Sequence, residues 1–138
     1  MRGGDAGGGH RYALIVSENQ EGVASLICDD NRDKIMTDSS SAVNDDRWHF
    51  VVGQRDGTAL RIFIDGQEEG TSTAAGDYNL SGTSQHNVYI GAITNHGDGS
   101  LYKRFNGLVD EVRVYNRALS AGEILWLAGH TAPVAKPF

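Results

Sequence analysis

The chain is short of several things, and each shortage narrows its chemistry. A single cysteine, Cys28, rules out an intrachain disulfide among the 138 residues. Cys28 therefore reads as a small buried or half-buried hydrophobe. No apolar run approaches the roughly 20 residues that a membrane-spanning helix needs. Positive charge is scarce: 12 Lys and Arg stand against 18 Asp and Glu, a formal net charge of -6. That balance argues against nucleic acid, because phosphate binding needs clustered basic residues. It is compatible with metal cations or neutral sugars. Proline occurs only at Pro133 and Pro137, in a tail that reads as extended. No Gly-x-Ser-x-Gly elbow is present, and no His neighbours Cys28 in sequence.

What is present is one domain's worth of strand signals. The length fits one domain able to bury its own core. Residues 1–9 read as a Gly-rich, flexible lead with no apolar stretch of a signal peptide. An export signal, if the module is exported, is expected outside this chain. Residues 10–129 carry the domain and 130–138 the tail. Arg11–Val16 and Val23–Cys28 are short apolar runs joined by a polar turn, which predicts a hairpin. Lys34–Asp38 reads as a weak strand. Arg47–Gln54 predicts a strand with Trp48, Phe50 and Val52 alternating onto one buried face. Ala59–Ile64 is the next strand, with Leu60, Ile62 and Ile64 on one side. Asp65-Gly66 predicts a type I′ hairpin turn, since Gly accepts positive φ and Asp tolerates it. Gln67–Ser72 returns as a polar, edge-like strand.

Farther along, His86–Ala92 and Leu108–Tyr115 predict two more strands around a long polar loop, Thr94–Arg104. Ser120-Ala121-Gly122-Glu123 predicts a capping box opening a short helix that ends near Gly129, a natural C′ residue. Trp126 sits among Ile124, Leu125 and Leu127 and is assigned to the core, as is Trp48. His49, on the other face of its strand, reads as a satisfied strand residue. Many short strands without a βαβ rhythm define an all-β protein, an antiparallel sandwich or barrel.

Two stretches carry a family resemblance. One runs through Arg47-Trp48-His49-Phe50-Val51-Val52, Asp56-Gly57 and Leu60-Arg61-Ile62-Phe63-Ile64-Asp65-Gly66. The other runs through Tyr89-Ile90-Gly91-Ala92, then Phe105-Asn106-Gly107-Leu108-Val109-Asp110-Glu111-Val112-Arg113-Val114-Tyr115, then Asn116-Arg117-Ala118-Leu119-Ser120 and Glu123-Ile124. Together they resemble the laminin-G-like, concanavalin-A-like modules of exported bacterial proteins. The resemblance implies a two-sheet jelly-roll β-sandwich with one short C-terminal helix. Such modules usually have one or two further strands before the position of Tyr12. Either this chain is a fragment, or its sandwich has an exposed edge through which it self-associates.

The resemblance also frames function. Glycanases of this fold place paired carboxylates on one strand as Glu-x-Asp-x-x-Glu, and no such segment occurs here. Glu68 and Glu69, like Asp110 and Glu111, are adjacent and point to opposite faces of a strand. The expectation is a non-catalytic recognition module at the cell surface or outside the cell. Its expected partner is a glycan or, alternatively, an extracellular protein, with adhesion or a structural spacer as further roles. Many relatives hold one Ca²⁺, and by resemblance Asp110 is the candidate metal ligand; a turn cap or an Arg pair is the competing role. Asp29-Asp30-Asn31-x-Asp33 is a weaker half-loop. Asn95, His96, Asp98 and Tyr102, dense in one loop, are the candidate glycan contacts. The polar character of that loop alone would account for them equally well.

Overall fold

The computed structural model describes residues 11–16, 22–29, 34–74, 88–94, 101–102 and 104–130. Two three-stranded antiparallel sheets form the body. The first has the order β1 (Arg11–Val16), β2 (Val23–Asp29), β3 (Lys34–Ala42). The second has the order β4 (Val51–Asp56), β5 (Ala59–Ile64), β6 (Gln67–Thr73). A two-stranded ribbon, β7 (Ile93–Thr94) with β8 (Leu101–Tyr102), and helix α1 (Ala121–His130) follow.

The sheets face one another through alternate side chains. Leu26 and Cys28 of β2 meet Leu60 of β5 and Ala74, with Ile35 alongside. Ala24 packs with Ile62 and Ile64, flanked by Val43 and Val51. Leu60 and Ile62 are fully buried, and such burial stabilises by about 1.5–3 kcal/mol per side chain. Gly53 permits the close approach on β4. A Cβ there would come within 2.8 Å of Leu26 Cδ1. Along the β3–β6 seam, Glu69 accepts from the Ser41 amide and hydroxyl, both at 2.8 Å, and Ser72 Oγ donates to the Met36 carbonyl at 2.9 Å. The β2–β3 register shifts between Val23 and Ser25, and the Ala24 amide finds Ser39 Oγ at 2.9 Å instead of a strand carbonyl.

The second sheet is covered on its outer face too. Phe63 projects there against Leu119, Ile124 and Leu127, with Phe50 and Val52 half-buried beside them. This explains why β5 is apolar on both faces near its end. The helix starts as its sequence predicts: Ser120 N donates to Glu123 Oε2 at 2.8 Å, and Glu123 N returns to Ser120 Oγ at 3.3 Å. The turn after β5 is left-handed at both residues, φ 50° at Asp65 and 89° at Gly66.

Four expectations need correction. The strand predicted from Arg47 begins only at Val51, and Trp48 is 48 % exposed. Asp46 takes φ 61° and His49 bonds Asp45, so the chain curls there and the period-2 alternation cannot extend back to Trp48. Trp126 is 60 % exposed. The buried stripe of α1 is Ile124 and Leu127, and a residue two places from Ile124 lies on the opposite side of a helix. Gly129 lies inside α1 rather than after it. Finally, residues 88–92 and 108–115 are not strands, and neither three-stranded sheet supplies a neighbour to pair with them. The apolar side chains of the second segment, Leu108, Val112 and Val114 among them, are exposed.

Candidate recognition groove at the helix corner

Three of the sequence-predicted contact residues, Asn95, His96 and Asp98, lie outside the described residues. Tyr102 is in β8, opposite Ile93. Asp110 is exposed, and its Oδ1 accepts the Glu111 amide at 2.8 Å. Glu111 takes φ 53° and its carboxylate meets Arg113 at 2.7 Å. The Asp110 carboxylate thus serves its own turn. Among the described residues, no three His, Cys, Asp or Glu side chains gather as a metal cluster.

The best-built polar corner lies elsewhere, where the chain enters α1. Arg117 holds Glu123 with two guanidinium nitrogens, at 2.6 and 3.0 Å. A forked pair of this kind fixes geometry as well as charge. Arg117, then the Ser120 amide and hydroxyl, hold the Glu123 carboxyl down at about 2. Gln54 of β4 accepts the Leu119 amide at 3.0 Å and moors this corner to the second sheet.

Two adjoining clefts of about 580 and 460 Å³ share Arg117, Leu119, Ser120 and Glu123. The larger reaches over the sheet, with Phe63 and Leu119 below and Gln54, Asp56, Arg61 and Glu68 around it. Arg61 and Glu68 sit 3.9 Å apart. The smaller is bounded by Tyr115, Trp126 and Leu127. Tyr115 is 45 % exposed. Planar amides, carboxylates and guanidinia match the donor and acceptor geometry of vicinal hydroxyls. Exposed aromatic rings offer an apolar face with a polar tip. The acidic side chains along the groove (Asp56, Glu68, Glu123) outnumber the basic ones (Arg61, Arg117) by one, which disfavours a polyanion.

Sequence reasoning missed this groove because it assigned Trp126 to the core. The helical spacing of Ile124 and Leu127, with Trp126 off that stripe, was the available signal. Arg117 and Glu123, six residues apart, give no sign of their pairing without the corner that folds one onto the other.

These features define the class: an antiparallel β-sandwich with a terminal helix packed on its outer face. The family profile of the concanavalin A-like lectin/glucanases superfamily matches residues 1–125. The chain belongs to that superfamily. It is also similar in fold to a crystal structure of an S-layer domain-containing protein from Clostridium thermocellum. That likeness has a TM-score of 0.50 and 22 % sequence identity, and covers 87 % of this chain and 63 % of the other. The chain therefore spans less than two thirds of that neighbour's length. No curated protein sequence matches it.

Proposed function

We propose that the chain is a non-catalytic extracellular recognition module that binds carbohydrate. One observation carries this reading: exposed Trp126 and Tyr115 adjoin the fixed Arg117–Glu123 pair in one open groove. The superfamily, named for lectins as well as glucanases, supports it. The absence of a Glu-x-Asp-x-x-Glu strand supports a binding rather than a hydrolytic role. The name of the S-layer neighbour fits a location at the cell surface. No helix of the described residues is long and apolar enough to cross a membrane. The polar segment with Asn95, His96, Asp98 and Tyr102 is a second candidate contact, with Ca²⁺ held at Asp110 to order it.

The test is a glycan panel probed with the full chain in Ca²⁺ and in chelator, and with Trp126→Ala. Saturable binding to neutral glycans that Trp126→Ala weakens supports the groove. Binding that survives that change but needs Ca²⁺ moves the contact to the segment with Asn95, His96, Asp98 and Tyr102. Binding to none of the panel overturns the carbohydrate reading.

A protein-binding or self-associating surface is the second reading. Exposed Leu108, Val112 and Val114, on a segment that pairs with no strand among the described residues, favour it, because such patches mark contacts between chains. A concentration-dependent mass by light scattering, abolished by Val112→Asp with Val114→Asp, would establish it.

A further inference from the structure

His49 stands where three parts of the fold meet. It belongs to the segment of residues 43–50 that leads into β4. Its Nδ1 lies 2.8 Å from Asp65 Oδ2, in the β5–β6 turn, and its Nε2 lies 2.9 Å from Asp45 Oδ1. The side chain is only 15 % exposed. The same turn touches α1: a Cβ on Gly66 would come within 2.9 Å of Leu125 Cδ1 and 3.2 Å of Ala128 Cβ. Asp65 is held further by Phe50, whose amide donates to Asp65 Oδ1 at 2.8 Å and whose carbonyl accepts the Asp65 amide at 2.8 Å.

An ionised carboxylate only accepts hydrogen bonds, and a neutral imidazole has a single N–H to give. Two carboxylates at hydrogen-bond distance from both ring nitrogens are therefore satisfied together only by the imidazolium. We infer that His49 is an acid-favoured latch: protonated, it fastens the 43–50 segment to the turn on which α1 rests, and deprotonation releases one of its two bonds. This goes beyond carbohydrate recognition and does not depend on it.

Among the described residues, the charges around the ring are few. Asp45 and Asp65 contact it directly. The Arg47 guanidinium, 78 % exposed, lies 3.8 Å from the far oxygen of Asp45, while the Arg47 backbone amide donates to Asp45 Oδ1 at 3.2 Å, the oxygen that His49 also contacts. From α1 the turn meets the uncharged Leu125 and Ala128. Burial by itself lowers the His49 pKa, but the bonds to Asp45 and Asp65 outweigh it and lift the pKa above the ordinary 6.5. The bond to His49 is in turn the main reason that the Asp45 carboxyl lies below its ordinary 3.8. A raised His contributes fully below its unfolded pKa and fades as pH climbs through its folded one. A lowered Asp contributes above its unfolded pKa and fades as pH falls through its folded one. The latch is therefore strongest between about pH 4 and 6.5.

The experiment has two readouts on the full chain. In an NMR titration of the imidazole resonances, with His49 assigned by its loss in His49→Gln, the midpoint is expected above 6.5 and lower in Asp45→Asn. A midpoint at or below 6.5, or one that Asp45→Asn leaves in place, overturns the latch. In urea titrations the native chain should have a higher midpoint at pH 5.5 than at pH 8.5. Four other histidines are present, so the comparison is made against His49→Gln, in which the difference should shrink. Equal midpoints, or a difference that His49→Gln leaves intact, overturn it as well. Should His49→Gln fail to fold, Asp45→Asn keeps the ring and its Asp65 bond and supplies the same comparison.

Discussion

Gln54 Oε1 accepts the backbone N–H of Leu119 at 3.0 Å, joining the second sheet to the corner before α1 across 65 residues of sequence. Leu119 is itself buried, so its amide has little access to water as an alternative partner. Gln54→Leu should therefore leave a donor unsatisfied and cost about 1–3 kcal/mol. The groove should loosen with it, since Gln54, Leu119 and Ser120 all line the larger cleft. Urea denaturation of the variant checks the first effect. An unchanged midpoint would mean that this bond does not hold the corner.

Gly66 makes a sharper demand. Its φ of 89° is one that residues with a side chain rarely adopt, and a Cβ would also press on Leu125 of α1. Gly66→Val should destabilise by more than about 1 kcal/mol through backbone strain alone. Gly66→Ala tests the same strain with the smallest side chain. A melting temperature that stays put in both variants would argue against the turn.

How far the sequence went depended on whether neighbours along the chain settle the structure. The β1–β2 and β5–β6 hairpins, the Asp65-Gly66 turn and the Ser120–Glu123 cap are local. Alternation, turn residues and spacing specify them within a few positions. The sandwich class followed from their sum. Trp48 was misplaced because alternation says nothing about where a ladder begins. That start depends on the His49 bonds to Asp45 and, 16 residues away, to Asp65. Leu108–Tyr115 has a strand's composition, but strand pairing needs a partner that composition does not reveal. The groove was illegible for a similar reason: Gln54, Glu68, Tyr115 and Trp126 come from four separate segments and meet only in the fold.

Ser120 and Glu123 form a reciprocal cap, and the two halves separate by experiment. Ser120→Ala should cost about 0.5–2 kcal/mol, the usual loss for an N-cap hydroxyl. Glu123 adds a pH signature. Its carboxyl drops from an ordinary 4.5 to about 2, so its stabilisation is present above about 4.5 and is lost as pH falls through about 2. The group is solvent-exposed, so salt should weaken the effect. Acid denaturation of Glu123→Gln should show a shallower fall over that interval than the native chain. Identical acid profiles would remove Glu123 from the account.

The calcium proposal makes a separate prediction. A cation that binds only the folded chain raises stability with the logarithm of its concentration over Kd, by about 2.7 kcal/mol at a hundredfold excess over Kd. The melting temperature should rise in Ca²⁺ relative to chelator for the native chain and not for Asp110→Ala. No rise in the native chain removes the metal. A rise that survives Asp110→Ala keeps the metal and moves its site toward the Asp29–Asp33 run.

Trp126 and Ile124, two residues apart on α1, separate recognition from folding. Ile124 is fully buried against Phe63, Leu119 and Leu127, whereas Trp126 is 60 % exposed at the groove. Ile124→Ala should cost about 2–5 kcal/mol, the range for emptying a packed aliphatic site. Trp126→Ala leaves the buried stripe intact and should cost far less. Toward a glycan that binds the native chain the order should reverse. Losing a stacking ring of this kind should weaken binding by roughly tenfold, equivalent to about 1.4 kcal/mol. Titration calorimetry alongside urea denaturation, on both variants and the native chain, reads the two effects in the same units. A Trp126→Ala protein that unfolds as readily as Ile124→Ala would make the ring structural. One that keeps both its stability and its full affinity would place the glycan contact away from α1.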